Sequence, residues 1–129
     1  MKNVVDSSTV LAICLGEEGA KEARQPSQHA MISAVNLNEV YVKAIQHNNF
    51  EYAQSVVSML SLTVVPFTEE QAVVSAHLST KTYRQGISFA DRACLSLALI
   101  TRCPVVTGDR AWQSLDIDIE IIQFRPSVN

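Results

Sequence analysis

Short β-prone segments alternate with helical segments along the whole chain, and this alternation limits the fold more than any other feature. Each β-prone run is separated from the next by at least one run with apolar residues at helical spacing. Parallel strands require such helical crossovers, so the pattern predicts an α/β domain with a central, mainly parallel sheet between helical layers. The five predicted strands cover residues 3–5, 29–33, 62–66, 104–107 and 119–124.

Size and composition predict one globular domain over residues 1–129. The chain has 47% hydrophobic and 18% charged residues, which is ordinary for a soluble protein. Asp6 and two serines interrupt the apolar N-terminal stretch, and no apolar run approaches the roughly 20 residues that span a bilayer. We therefore expect a cytoplasmic protein without a membrane segment. The three cysteines lie in apolar runs without a CxxC pair, which favours buried free thiols in a reducing compartment.

Acidic residues stand at four predicted junctions between strands and helices: Asp6, Glu39, Asp91 and Asp109. A parallel sheet brings such junctions together in a crevice at the carboxyl ends of its strands. Several carboxylates in one pocket make chemical sense around a hard divalent cation such as Mg²⁺. Ser8 and Thr107 could orient these acids by hydrogen bonds, and both could equally be turn or cap residues.

Each acid also has a purely structural interpretation. Asp6 and Asp109 could be helix caps that follow strands. The spacings Asn36-x-x-Glu39 and Ser88-x-x-Asp91 both predict capping boxes, in which the carboxylate returns a hydrogen bond to the start of its helix. Glu39 also precedes Lys43 by four residues, which is the spacing of an exposed helical ion pair.

Other functional classes fit the sequence less well. It contains no GxSxG elbow and no P-loop, and its net charge of −3 argues against nucleic-acid binding through a broad basic surface. A nuclease whose acidic pocket is neutralised by a bound metal ion is still compatible with a negative net charge. Arg92 and Arg110 lie next to two of the acids and could contact RNA phosphates, or they could be solvated charges on helix faces.

Four motifs follow one another along the chain: VVDSSTVLA, NLNEV, GISFADRACLSLA and PVVTGDRAW. In this order and spacing they resemble the PIN-domain ribonucleases, and most of all the VapC toxins of bacterial type II toxin–antitoxin pairs. The resemblance runs from about residue 3 to residue 124 and implies a PIN-like three-layer α/β/α sandwich. It implies that Asp6, Glu39, Asp91 and Asp109 bind Mg²⁺ or Mn²⁺ and are catalytic, with Ser8 and Thr107 beside them.

The resemblance further implies cleavage of structured RNA, such as transfer or ribosomal RNA, by a metal-activated water. It also implies a homodimer and a small antitoxin protein whose tail blocks the pocket. The predicted helices between residues 35 and 60 carry apolar side chains away from their main stripe, namely Val42, Tyr52 and Met59, which supports the dimer. Two alternatives stay open: a PIN-type nuclease of housekeeping RNA processing, and a non-catalytic domain that binds RNA or protein.

Overall fold

A computed structural model describes residues 2–126, in which strands and helices follow one another as the sequence predicts. The strands are β1 Val4–Val5, β2 Met31–Ser33, β3 Thr63–Val65, β4 Val105–Thr107 and β5 Ile121–Gln123. The α-helices are α1 Ser7–Leu15, α2 Ala20–Ser27, α3 Ala34–Gln46, α4 Phe50–Met59, α5 Glu69–Thr82 and α6 Phe89–Thr101. Short 3-10 helices occupy Tyr83–Gln85 and Arg110–Ser114.

The five strands form one sheet in the order β3-β2-β1-β4-β5, and every pairing between neighbours is parallel. The predicted α/β class is confirmed, and the sheet is wholly rather than mainly parallel. Val4 in β1 pairs with Met31 on one side and with Val105 on the other. Successive crossovers run outward from β1 to β3, and the chain then returns to place β4 on the other side of β1. The topological switch point therefore lies between β1 and β4.

Alternating strand residues supply two separate hydrophobic cores, one on each face of the sheet. Val5, Ile32 and Val106 belong to the core that the first four helices cover. Val4 and Val105, their immediate neighbours, belong to the core under α5 and α6. This alternation is the period-2 geometry of a strand, and it produces the three-layer α/β/α sandwich.

Local signals set several helix ends. Asp6 caps α1, which ends at Gly16 in the left-handed conformation with φ of 66°. Ser88 and Asp91 form the predicted capping box at the start of α6. The capping box predicted at Asn36 is wrong, because β2 runs into α3 without a loop and Ser33 caps that helix instead.

The cysteines are free, as predicted, and Cys14 and Cys94 are buried while Cys103 is partly exposed. Burial raises the pKa of the Cys14 thiol to about 11 and that of Cys94 well above its usual value. Both thiols are therefore protonated and unreactive at neutral pH. Within residues 2–126, none of the helices combines the length and the apolar character that crossing a bilayer would require.

Candidate functional site

All four predicted acids line one open cleft of about 500 Å³ at the carboxyl edge of the sheet. Their elements meet there because β1 and β4 flank the switch point and the starts of α3 and α6 close over it. A larger cavity of about 750 Å³ lies at the opposite ends of β4 and β5 and contains none of these acids. The other residues that line the acidic cleft are Ser7, Ser8, Leu11, Asn38, Val42 and Lys43.

Asp6 is the buried acid of the cleft, with 3% of its surface exposed. Its carboxylate caps α1 by accepting from the Thr9 backbone N–H at 3.0 Å. Three hydroxyls also donate to it: Ser8 at 2.8 Å, Thr107 at 2.6 Å and Thr9 at 2.7 Å. Thr9 shares its single hydrogen between Asp6 and the Val106 carbonyl, which is also 2.7 Å away. Burial raises the pKa of Asp6, while these hydrogen bonds lower it and offset part of the desolvation. The side chain is thus held in one orientation by four donors.

Ser8 and Thr107, the two predicted orienting residues, both contact Asp6 and both connect it to the turn after β4. The Gly108 N–H donates to the Ser8 hydroxyl at 2.9 Å, and the Asp109 N–H donates to the Thr107 hydroxyl at 3.0 Å. Each hydroxyl therefore accepts from the turn and donates its single hydrogen to Asp6. A Cβ at Gly108 would lie 2.8 Å from the Phe124 ring, so a larger residue at this turn would force the Phe124 side chain to shift.

Glu39 is exposed on α3, and its carboxylate accepts a hydrogen bond from the Ser7 hydroxyl. Ser7 in turn accepts from the side-chain amide of Asn36. Within residues 2–126, the ion pairs join arginines 110 and 125 to other glutamates, so Glu39 does not pair with Lys43. Among the described residues, Lys43 is the cation that lines the cleft, a position that sequence reasoning missed.

Asp91 is half-buried, and its Oδ2 accepts from the Ser88 N–H at 3.0 Å. Burial raises the pKa of Asp91, and the negative charges of Asp109 and Glu39 raise it further. Asp109 is exposed, and its Oδ1 accepts from the Ala111 N–H at 3.0 Å as the cap of the following 3-10 helix. Repulsion of this kind between carboxylates is expected when acids share one cleft.

The two predicted phosphate-contacting arginines lie outside the lining of the cleft. Arg92 is partly buried, and its guanidinium donates to the Ile87 carbonyl at 3.4 Å. Arg110 is exposed and makes an ion pair with Glu18 at 3.2 Å. It also donates to the Pro126 carbonyl at 2.8 Å.

The side chains of the cleft fit a hard divalent cation, because four carboxylates line it and oxygen is the ligand atom that such cations prefer. In the described part of the chain, no three histidine, cysteine or acidic side chains already stand close enough together to hold a metal. Mg²⁺ commonly binds through one or two carboxylates and keeps several waters, so a ready-made cage is not required.

Sequence reasoning missed Ser7 and Thr9, which contact Glu39 and Asp6, and it missed Asn36, which donates to Ser7. Ser7 and Thr9 adjoin Asp6 in the segment DSST, so their proximity to an acid was visible in the sequence. Asn36 carried a misleading signal, because its spacing from Glu39 matched that of a cap. Its role depends on contacts between helices.

Known structures share this fold at low sequence identity. A toxin–antitoxin complex from Klebsiella pneumoniae matches with a TM-score of 0.75 and 16% identity, over 95% of this chain and 98% of that one. VapBC2 from Rickettsia felis, bound to a DNA fragment from its promoter, matches with a TM-score of 0.73 and 16% identity, again over 95% and 98%. VapC20 from Mycobacterium tuberculosis, a sarcin–ricin loop cleaving toxin, matches with a TM-score of 0.70 and 14% identity, over 88% and 96%.

A comparison with curated proteins finds no match. The family model of the PIN domain matches residues 4–118, which include β1 to β4 and all four acids of the cleft. The sequence motifs, the parallel sheet and this match agree, and the chain belongs to the PIN domain family.

Proposed function

We propose that this protein is a Mg²⁺- or Mn²⁺-dependent endoribonuclease that acts as the toxin of a toxin–antitoxin pair. One observation carries the proposal: four carboxylates from four separate elements line a single cleft, and the most buried of them is held by four donors. The sarcin–ricin loop cleaving activity named for the similar VapC20 fold supports an RNA substrate. The toxin–antitoxin complexes among the similar structures support an antitoxin partner.

Asp6, Glu39, Asp91 and Asp109 are the residues that would hold the metal. The bound ion would lower the pKa of a water and neutralise charge on the phosphodiester. The chain's own part is to keep Asp6 in one orientation, through the hydroxyls of Ser8, Thr9 and Thr107.

The cation at the cleft also has a proposed role toward RNA. Lys43 lines the acidic cleft, where its ammonium would attract a phosphate that the carboxylates alone would repel. Arg110 could add a second phosphate contact by leaving Glu18, because exposed ion pairs of this kind contribute only about 0–1 kcal/mol. Arg92 lies one residue beyond Asp91 and would approach the same strand of RNA from α6.

A homodimer completes the proposal. Val42, Tyr52 and Met59 are exposed on α3 and α4, together with Ile45. These side chains form more exposed apolar surface on two adjacent helices than a monomer needs. Light scattering at micromolar protein should give the mass of two chains, and a monomeric mass would contradict the dimer.

The direct test is RNA cleavage by the purified protein with Mn²⁺, with EDTA, and with the Asp6→Asn variant. We expect the wild-type protein to produce defined RNA ends with Mn²⁺ but not with EDTA. Expression in cells should arrest growth for the wild type and not for Asp6→Asn. Asp116→Asn is the matched control, because Asp116 is exposed and lies outside the acidic cleft. Equal cleavage by the wild type and Asp6→Asn would show that the acids are not the active site.

A non-catalytic binding domain is the second candidate, and one observation favours it: Asp6, Asp91 and Asp109 each take part in capping a helix. Titration calorimetry with Mn²⁺ separates the two functions. Absence of binding at millimolar metal would support the non-catalytic domain. Cleavage without growth arrest would instead favour a housekeeping nuclease over a toxin.

A further inference from the structure

Asn36 is a buried polar residue whose contacts join three helices of the cleft. It lies in α3 with 1% of its surface exposed. Its side-chain Nδ2 is 3.1 Å from the Ala90 carbonyl oxygen in α6 and 3.1 Å from the Ser7 hydroxyl in α1. Ala90 precedes Asp91, and Ser7 follows Asp6, so one amide links the segments that carry two of the acids.

The chemistry of these groups determines the direction of each hydrogen bond. The Ala90 carbonyl can only accept, so the NH₂ group of Asn36 must face it. The same NH₂ group donates to Ser7, which occupies a lone pair of that hydroxyl and leaves its single hydrogen for another acceptor. This hydrogen bond limits the directions in which the Ser7 O–H bond can point.

Two acceptors are within reach of the Ser7 hydrogen: the Glu39 Oε1 atom and the Asn36 backbone carbonyl at 3.3 Å. The carbonyl already has the Val40 N–H as its partner within α3. The carboxylate is charged, and hydrogen bonds to charged acceptors are roughly twice as strong as neutral ones. The hydrogen therefore goes to Glu39.

We propose that Ser7 and Asn36 are positioning residues that hold the Glu39 carboxylate in the acidic cleft for metal binding. This inference rests on the proposed metal-dependent function. Glu39 is exposed on α3 and makes none of the ion pairs of the described residues, so the Ser7 hydroxyl is what restrains its carboxylate. Loss of that restraint returns a long side chain to free rotation and weakens its contribution to the ion.

The first measurement is Mn²⁺ affinity, by titration calorimetry of the full-length protein. Ser7→Ala should weaken binding by about 10–100-fold, the usual effect of removing a hydrogen-bond partner of a metal ligand. Asn36→Ala should weaken it less, because Ser7 keeps its hydrogen and can turn it toward either acceptor. Ser27→Ala is the matched control, since Ser27 is also buried but donates to the Ala23 carbonyl within α2.

A double-mutant cycle tests whether Ser7 acts through Glu39. In a Glu39→Ala background, Ser7→Ala should change Mn²⁺ affinity by less than about twofold, because the group that it positions is gone. Equal losses in both backgrounds would mean that Ser7 supports the cleft in general, and would overturn the inference. Urea unfolding of each variant verifies that the proteins compared are folded.

The same titrations separate failure of the inference from failure of the proposed function. If the wild type binds Mn²⁺ and Ser7→Ala binds it equally well, the inference is wrong and the metal-dependent function stands. If the wild type binds no Mn²⁺ at millimolar concentration, both are overturned. A loss in Ser7→Ala that disappears in the Glu39→Ala background supports both.

Discussion

The ends of β1 and β4 carry the same local motif in two different environments. Each strand is followed by an aspartate that caps a helical turn: Asp6 for α1 and Asp109 for the 3-10 helix. Asp6 is buried and receives three hydroxyl hydrogen bonds, whereas Asp109 is exposed and accepts from the Ala111 N–H. Capping therefore accounts for the positions of both acids in the chain, but not for the difference in their burial and hydrogen bonding.

The difference follows from the distance of each acid from the sheet. Asp6 comes directly after β1, and α1 begins at the next residue, so the carboxylate stays beside Thr107 of the neighbouring strand. Gly108 separates Asp109 from β4 and carries that acid beyond the edge of the sheet. One residue of spacing decides which acid is desolvated and fixed, and which is solvated.

The largest expected effect is on RNA cleavage. Asp6→Asn should lower kcat by about 1000-fold and Asp109→Asn by about 100-fold, the range over which single electrostatic groups act in active sites. The fixed acid should matter more because its orientation is already set before metal and substrate bind. Single-turnover cleavage at saturating Mn²⁺ measures both, with Asp116→Asn as the control. Equal losses of kcat in the two variants would mean that the difference in burial between Asp6 and Asp109 has no consequence for cleavage.

Metal should also stabilise the fold. At a free Mn²⁺ concentration of about 100 times its Kd, the free energy of unfolding should rise by about 2.7 kcal/mol. This increment should vanish in Asp6→Asn and persist in part in Asp109→Asn, because the buried acid gains most from a neutralising ion. Urea unfolding with Mn²⁺ and with EDTA gives the increments. If Mn²⁺ raised the free energy of unfolding of Asp6→Asn by the full amount, the ion would bind outside the acidic cleft.

Thr107 connects the two strand ends, since it donates to Asp6 and accepts from the Asp109 N–H. Thr107→Val keeps the shape but leaves both groups without that partner, and should lower the free energy of unfolding by about 1–3 kcal/mol. Thr82→Val is the control, because Thr82 is equally buried and its hydroxyl donates to the Leu78 carbonyl of its own helix. Similar losses in both variants would mean that Thr107 has no special part in joining the acids.

The smallest expected effect is on the pH dependence of stability without metal. Burial raises the folded-state pKa of Asp6 above 3.8, so the folded protein holds this proton more tightly than the unfolded chain does. The contribution of this group to stability is therefore complete below pH 3.8 and is lost as pH rises through the raised pKa.

Asp6→Asn has no proton to lose at this position, so its stability should not fall with pH for this reason. As pH increases, the free energy of unfolding of the variant should therefore rise relative to that of the wild type. Urea unfolding in EDTA from about pH 3 to about pH 7 measures it. Ser27→Ala, which removes no titratable group, should follow the wild type. A constant difference between wild type and Asp6→Asn across this range would contradict the raised pKa.

Local patterns were good predictors wherever short-range chemistry decides the structure. The five strands and the capping box of Ser88 and Asp91 all appear where the sequence places them. The prediction failed at Asn36, where the spacing matched a cap but the side chain is used between helices. Periodicity and capping rules describe a residue and its near neighbours in the chain, so a contact between Asn36 and Ala90 is outside their reach.

The order of elements and the residue types by themselves determined a parallel α/β sheet with acidic side chains at its carboxyl edge, because strand alternation and capping depend on neighbouring residues. Only the tertiary structure decided that Asp6 is buried while Asp109 is solvated, and that Ser7 contacts Glu39. Desolvation and hydrogen bonds between distant segments depend on how close separate elements pack, and packing distance is a property of the folded chain.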